Sequence, residues 1–424
     1  MRILLATYPV KTIFQPMVPL AWALRTAGHE VRVASQPWFA DEITRAGLTA
    51  VPVGRHNTDW RELADRFAEE VEAGRAGLPS PYDAAVTPPA ELDWDTLRAG
   101  YQDMVELWHK RDNFPLVAGL VEFARQWQPD LVVWEAASYA GAIAARACGA
   151  AHARLLWSID VFGVARERFL RLREQQPAEQ QGDPLGEWLG GYARKYGFEF
   201  GEDLVTGQFS IDPLPDSLRM AAEGLDYVPV RYTPYGGRAV VPKWLQSAPA
   251  RPRVGLTLGT SATEQFGGYT VSVQDILESL SDVDVEVVAT VAESEQHKLG
   301  RIPDNARVVS FVPLDALAAT CSVVINHTGP GTFLTTARHG VPQLNVPWDF
   351  DEPELARRAE AQGGSLVLRG DGHAVREPVL RLLHDPELRR GAAALRDDIL
   401  ALPSPNELVG RLEELTNKHR TAVR

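Results

Sequence analysis

The chain has 424 residues, with 43 Lys plus Arg against 56 Asp plus Glu and a formal net charge of −13. At about 100–200 residues per domain, this length suggests two or three domains; the 45% apolar and 23% charged composition excludes wholesale disorder. An acidic chain without a basic block excludes a phosphate-backbone reader, so no nucleic-acid partner is expected, although one anion in a local pocket stays compatible. Two distant cysteines, Cys148 and Cys321, supply neither a disulfide framework nor zinc spacing. No H-E-x-x-H or clustered metal set is present, so no metal is expected. No run reaches about 18 apolar residues, which argues against a membrane span. The first residues start positive and apolar, but Lys11, Gln15 and two prolines interrupt them and no clear cleavage motif follows, so a cytoplasmic protein is expected.

Residues 2–7 (RILLAT) form an apolar run of buried-strand length. After a loop containing Pro9 and Pro16, a helix with Pro19 in its first turn runs to Gly28, and HEVRVAS is the next strand. That is one βαβ unit within about 35 residues. Further strands are expected at 48–53, 130–135 and 152–157, with a helix at 137–150. Alternating β and α predicts a parallel sheet covered on both faces.

Residues 54–115 interrupt this rhythm with a charged, Pro- and Gly-rich insertion, in which helices are expected near 58–73 and 94–110. A second polar excursion spans 163–200 and is amphipathic at its start. Residues 212–252 hold many Pro and Gly, as a linker between compact units should. The alternation then restarts: a strand and loop from 253, a helix at 271–282, and strands at 285–292, 306–312, 321–326 and 342–347. The terminal stretch reads as two helices broken at Pro403 and Pro405. The class is α/β, with a first unit at 1–225, a linker at 226–250, a second unit at 251–402 and a terminal helix at 403–424 that is expected to return to the first unit.

The segment INHTGPGTFLTTARHGVPQL, 325–344, is the most informative. A strand ends at a turn with Gly329 and Gly331 and then enters a helix. Glycines let backbone N–H groups approach a ligand, and a helix N-terminus favours an anion. Thr332 is placed to cap the helix and touch a phosphate, and His327 to donate a second hydrogen bond. The glycines alone fit a plain strand–turn–helix equally well. The spacing is not that of a dinucleotide fold, so NAD is not supported. The loop after residue 257, with Gly259, Thr260 and Ser261, can line the same crevice at the carboxyl ends of parallel strands. The carboxylates in VPWDFDE, 346–352, can accept bonds from sugar hydroxyls, or form a solvated acidic loop.

The order of these segments carries a resemblance. A GTS loop, F-V-P, H-x-G-x-G-T and P-x-x-x-D resemble the donor site of GT-B glycosyltransferases, which have two Rossmann-like parallel-sheet domains facing a central cleft. MRILLA, VPLAWALRTAGHEVRVASQP, PDLVVWE, DPLGEWL, LVTGQFSIDPLP and YTPYGGRAVVPKWL resemble, more narrowly, bacterial deoxysugar transferases of macrolide and anthracycline antibiotic biosynthesis. The likeness spans nearly the whole chain and is weakest at 54–115.

The resemblance implies that Phe311 and Val312 hold the nucleobase, and that His327, Gly329, Gly331 and Thr332 receive the diphosphate. It places Ser261 between donor and acceptor, and Asp351 on the sugar hydroxyls. Thr328 stands where the family usually has glycine, which adds a hydroxyl near the phosphate. Glu352 stands where Gln is usual, which adds a charge suited to an amino sugar. The family's histidine base is replaced by Ile13, which cannot take a proton. Lys11 is nearby but needs a strongly lowered pKa. Glu135 and Asp160, at strand ends of the first unit, are the candidate bases, and a capping or solvated role fits each of them equally well.

The expected activity is inverting transfer of a deoxysugar from a dTDP-sugar to a polyketide or other hydrophobic aglycone, with no cofactor. The alternatives are a catalytically weak sugar-nucleotide-binding helper or scaffold and, third, a sugar-nucleotide epimerase. The resemblance further implies a P450-like activator protein and allows a homodimer. The excursion at 163–200, with Phe169, Leu170 and Trp188, is the expected docking surface for the activator.

Overall fold

A computed structural model describes residues 1–55, 77–264, 266 and 268–420; the helix expected at 58–73 lies outside the described residues. Seven parallel strands form the first sheet: β1 (Arg2–Ala6), β2 (Glu30–Ser35), β3 (Ala50–Pro52), β4 (Leu131–Glu135), β5 (Ala151–Leu155), β6 (Ser210–Asp212) and β7 (Tyr227–Pro229). Their order is β3-β2-β1-β4-β5-β6-β7. Successive side chains of a strand point to opposite faces. Ile3, Leu5, Leu131 and Val133 therefore fill one core layer, and Leu4, Ala6, Val132 and Trp134 fill the other. Burial on both faces explains why these strands read as continuous apolar runs.

The second sheet has six parallel strands: β8 (Arg253–Thr257), β9 (Glu286–Thr290), β10 (Ala306–Val309), β11 (Val323–Asn326), β12 (Gln343–Asn345) and β13 (Ser365–Val367). Their order is β10-β9-β8-β11-β12-β13. β10 is shorter than the expected 306–312, because the chain leaves the sheet after Val309. Strand β7 pairs with β6, so the first sheet runs past residue 225 into the stretch whose prolines suggest a linker. Pro229 is tolerated there because β7 is an edge strand.

The helix Pro405–His419 starts at a capping box between Ser404 and Glu407. Its Leu408, Leu412 and Leu415 join the cluster of Ile3, Leu5 and Met17 against the first sheet. Glu413 pairs with His29 at 3.0 Å, and Arg420 with Asp130 at 2.6 Å.

The excursion at 163–200 forms the helices Val161–Glu174 and Pro184–Tyr196. Phe169, expected on a docking surface, is completely buried, with ring centroids 5.1 Å from Trp94 and 4.8 Å from Tyr101. Its helix is clamped by Arg166, which donates to both carboxylate oxygens of Asp183 at 2.8 and 2.6 Å. The amphipathic stripe thus faces the first unit's own core. Leu170 and Trp188 are half-buried against the same core.

Candidate active site

Both sheets reverse direction once. In the first, the chain moves outward from β1 to β2 and β3, then returns to β4 on the other side of β1; in the second, β8 and β11 are the corresponding pair. Ligands of open α/β sheets bind at such switch points, outside the carboxyl ends of the strands. His327 follows β11, and Gly259 follows β8. Glu135 ends β4, and the loop bearing Ile13 follows β1. His327 and Gly259 therefore lie at the second switch point, and Glu135 and Ile13 at the first.

In the second crevice, the His327 ring is nearly buried, and the Thr257 backbone hydrogen-bonds it. Burial lowers its pKa to about 4, so at neutral pH it is an uncharged donor–acceptor. Gly259, at φ +74, is the reason the ring fits: a Cβ there would lie 2.5 Å from His327 Cε1. Thr328 occupies the left-handed region at φ +68, which is unfavourable for a β-branched residue. Its N–H donates to Asn326 Oδ1 at 2.8 Å, while its hydroxyl is buried without a partner. Gly329 is the N-cap of the helix Pro330–Ala337, and Pro330 takes the first position. Thr332 is thus the third helical residue and not the cap. Its N–H and that of Gly331 precede the first intrahelical bond and point out of the helix N-terminus. Gly331 is held from behind, since its carbonyl accepts from the Tyr232 hydroxyl at 3.2 Å.

Phe311 is 57% exposed, whereas Val312 is buried with Leu245, Val288 and Leu317. A base can stack on the Phe311 ring, but only the Val312 backbone can meet it. Ser261 is half-buried at the start of the short helix Ser261–Glu264. Glu352 Oε2 accepts from the Trp348 and Asp349 N–H groups at 3.1 and 3.2 Å, and Oε1 lies 3.6 Å from His327 Nε2. Burial holds the Glu352 carboxyl well above the carboxylate range, which opposes the charge its sequence position suggests. Asp351 is pushed up to about 6 by burial. Its carboxylate accepts a hydrogen bond from the Ser158 hydroxyl, which follows β5 in the first unit.

In the first crevice, Ile13 is half-buried in the turn Lys11–Phe14. Lys11 pairs at 3.3 Å with Glu264 of the second unit, both side chains being roughly half exposed. Glu135 is 1% exposed. Its Oε2 accepts from the Ala137 N–H at 2.9 Å, and the Ser138 side chain and the Tyr8 backbone also hydrogen-bond this carboxyl group. Burial raises this carboxyl to about 7, the value a general base needs near neutral pH. Asp160 differs. Oδ1 accepts from Arg154 Nη1 at 3.0 Å and the Gly163 N–H at 2.8 Å. Oδ2 accepts from Arg154 Nη2 and the Tyr227 hydroxyl, both at 2.6 Å. Four bonds use all the acceptor sites of a carboxylate, which leaves none for an acceptor proton. Asp160 is therefore a buried structural anchor and not a base.

Sequence reasoning missed the Gly259–His327 contact, the Ser158–Asp351 bond and the placement of Phe350 among aromatic rings of the first unit. Gly259 had a visible signal, a glycine at a strand end. Among the described residues, no group of three His, Cys, Asp or Glu could hold a metal ion, and no helix is long and apolar enough to cross a membrane.

Two family models match the chain: the N-terminal domain of erythromycin biosynthesis protein CIII-like proteins over residues 22–259, and the C-terminal domain of the same proteins over 274–415. The chain belongs to the EryCIII-like glycosyltransferases. It is 45% identical to a 10-deoxymethynolide desosaminyltransferase of Streptomyces venezuelae, with 99% of this chain and 98% of the relative covered. It is 42% identical to an aclacinomycin-T 2-deoxy-L-fucose transferase of Streptomyces galilaeus, with 99% and 97% covered. Among solved structures, the glycosyltransferase VinC in complex with dTDP superposes with a TM-score of 0.87 at 37% identity, covering 99% of this chain and 100% of that one. The two sheets are those of the GT-B fold, and the EryCIII-like membership makes the protein a glycosyltransferase.

Proposed function

We propose that the chain transfers a deoxysugar from a dTDP-sugar to a hydrophobic polyketide-type aglycone, with inversion at the anomeric carbon. The observation that carries this is the His327–Thr328 turn, where a buried imidazole and a buried hydroxyl without a partner adjoin free N–H groups at a helix N-terminus. A diphosphate satisfies all of them, and donors fixed in advance stabilise the charge that grows as it leaves. The thymine stacks on Phe311 beside the Val312 backbone, Ser261 lies between donor and acceptor, and Asp351 and Glu352 receive the sugar hydroxyls. The acceptor sits against the first crevice. Its oxygen attacks the anomeric carbon from the face opposite the diphosphate. The bond to the phosphate oxygen breaks, dTDP leaves with the electron pair, and the acceptor proton passes to Glu135. No cofactor takes part.

Ile13 favours a second reading, a helper that binds sugar nucleotide without turning it over; Glu135, raised to about 7 by burial, speaks for the enzyme. A P450-like activator, a homodimer and a cytoplasmic location accompany the proposal. With Phe169 buried, the activator surface moves to Phe114, 74% exposed, in a groove of about 670 Å³ that it shares with Lys110, Trp188, Tyr192 and Lys195. Titration with dTDP, followed by an assay of glycoside formation across aglycones, tests the reading. Binding with glycoside formation supports the transferase. Binding without glycoside, with or without the activator, supports the helper, and no binding contradicts both.

A further inference from the structure

Phe350 belongs to the second unit, yet its ring lies among rings of the first. Its centroid is 5.8 Å from Tyr82, 5.7 Å from Trp108 and 5.9 Å from Phe162. It stands nearly perpendicular to Trp108, at 88°, and to Tyr82, at 73°. Tyr82 and Phe162 are buried, with ring centroids 4.7 Å apart, and together with the half-buried Trp108 they form a box with Phe350 as its occupant. The occupant is strained: Phe350 has φ +37, a region disfavoured for bulky residues. The next side chain, Asp351, is the one bonded to Ser158 of the first unit.

The box and the proposed base share one frame. Trp108 and His109 lie on the π-helical turn Val105–His109, a form that often marks functional positions. The Asn113 amide donates to the His109 carbonyl and to the Ala137 carbonyl, each at 3.0 Å. The Ala137 N–H in turn holds Glu135. The box thus stands on the same scaffold as Glu135 and faces the loop that bears Asp351.

We infer that Phe350 fills the acceptor's ring subsite, and that this subsite takes a flat aromatic ring, which displaces Phe350 on binding. The inference rests on the reading of the first crevice as the acceptor site. Two physical reasons support it. Two of the three walls, Tyr82 and Trp108, meet their occupant edge to face, while Phe162 lies tilted at 36°; edge-to-face walls select a ring with a negative face and a positive edge, which a saturated ring lacks. A strained occupant on a loop gives way more readily than buried walls, because leaving relieves its backbone.

The test uses the full chain with dTDP bound and two probes of the same skeleton, naphthol and its fully hydrogenated counterpart. Isothermal titration gives affinities, and a loss of quenching of tryptophan emission in Trp108→Phe reports contact with Trp108. Naphthol is expected to bind at least tenfold more tightly than the saturated probe, and Phe350→Ala to tighten naphthol binding at least threefold further. Retained dTDP binding shows that the variant has folded, and the two-probe comparison in the unmodified protein stands without any variant. Equal affinity for the two probes overturns the inference alone, as does a folded Phe350→Ala that binds naphthol more weakly. Failure of the unmodified protein to bind dTDP overturns the donor-site reading as well.

Discussion

The imidazole of His327 occupies the space that a side chain at Gly259 would need: a Cβ on Gly259 falls 2.5 Å from Cε1. The loop after β8 and the turn after β11 therefore make one site, because glycine at one strand end admits the ring from the other. Gly259→Ala should leave the fold intact and weaken dTDP binding at least tenfold, about 1.4 kcal/mol. Calorimetric titration of dTDP, with circular dichroism as the folding control, checks it.

A neutral His327 also makes dTDP affinity depend on pH. Its pKa in the free protein is about 4, and a bound diphosphate raises it by opposite charge. Binding then takes up a proton, so affinity should rise as pH falls from 7 towards 5. Asp351, at about 6, titrates in the same window and acts in the same direction. His327→Gln isolates the histidine: its affinity should be lower and its pH slope shallower than that of the unmodified protein. An unchanged slope in His327→Gln would remove the imidazole from the phosphate site.

Thr328 couples strain to ligand contact. Its left-handed backbone costs of order 1–3 kcal/mol for a residue that is not glycine. Thr328→Gly should therefore raise stability by roughly 1 kcal/mol, after allowance for the greater freedom of glycine in the unfolded chain. It should weaken dTDP at the same time, since the buried hydroxyl is lost. Denaturant midpoints and dTDP titration should move in opposite directions; a variant that is both more stable and a better binder would contradict the phosphate role.

Glu135 and Asp160 separate by experiment. Glu135 must be ionised to take a proton, so kcat/KM for acceptor should rise with pH through about 7. Glu135→Gln should lower kcat by roughly a hundredfold or more with dTDP binding unchanged. Asp160→Asn instead strips charge from the buried Arg154 and should cost about 3–5 kcal/mol of stability, read as a fall in Tm. Phe169→Asp should likewise unfold the first unit, while Phe114→Asp should leave the fold intact and weaken any complex with the activator.

Much of this was legible in the sequence, for physical reasons that differ between residues. The buried parallel strands showed as apolar runs, and the His327 turn showed because glycines beside a strand end mark close backbone approach. What stayed hidden depends on contacts between distant segments. The stripe carrying Phe169 gives the period of a helix but not the side on which its neighbours lie. Asp160 looks like a free strand-end carboxylate until β5 brings Arg154 against it and β7 adds Tyr227. Residues 226–229 look like linker because they open a Pro- and Gly-rich stretch, but an edge strand accepts Pro229. Glu352 looks like an added charge, but burial raises its pKa and opposes that charge. Ser158 and Phe350 meet the opposite unit only once both units are folded, and no local pattern announces such a pairing.

The central claim is that the His327 crevice activates a dTDP-sugar and Glu135 receives the acceptor proton. A single-turnover assay with a dTDP-deoxysugar and a phenolic aglycone, comparing the unmodified protein with Glu135→Gln and following dTDP release and the anomeric configuration of the product, tests it most directly. One dTDP released per glycoside, inverted configuration and a product rate at least a hundredfold lower for Glu135→Gln are the predicted result. Retained configuration, or equal product rates for the two proteins, would contradict it.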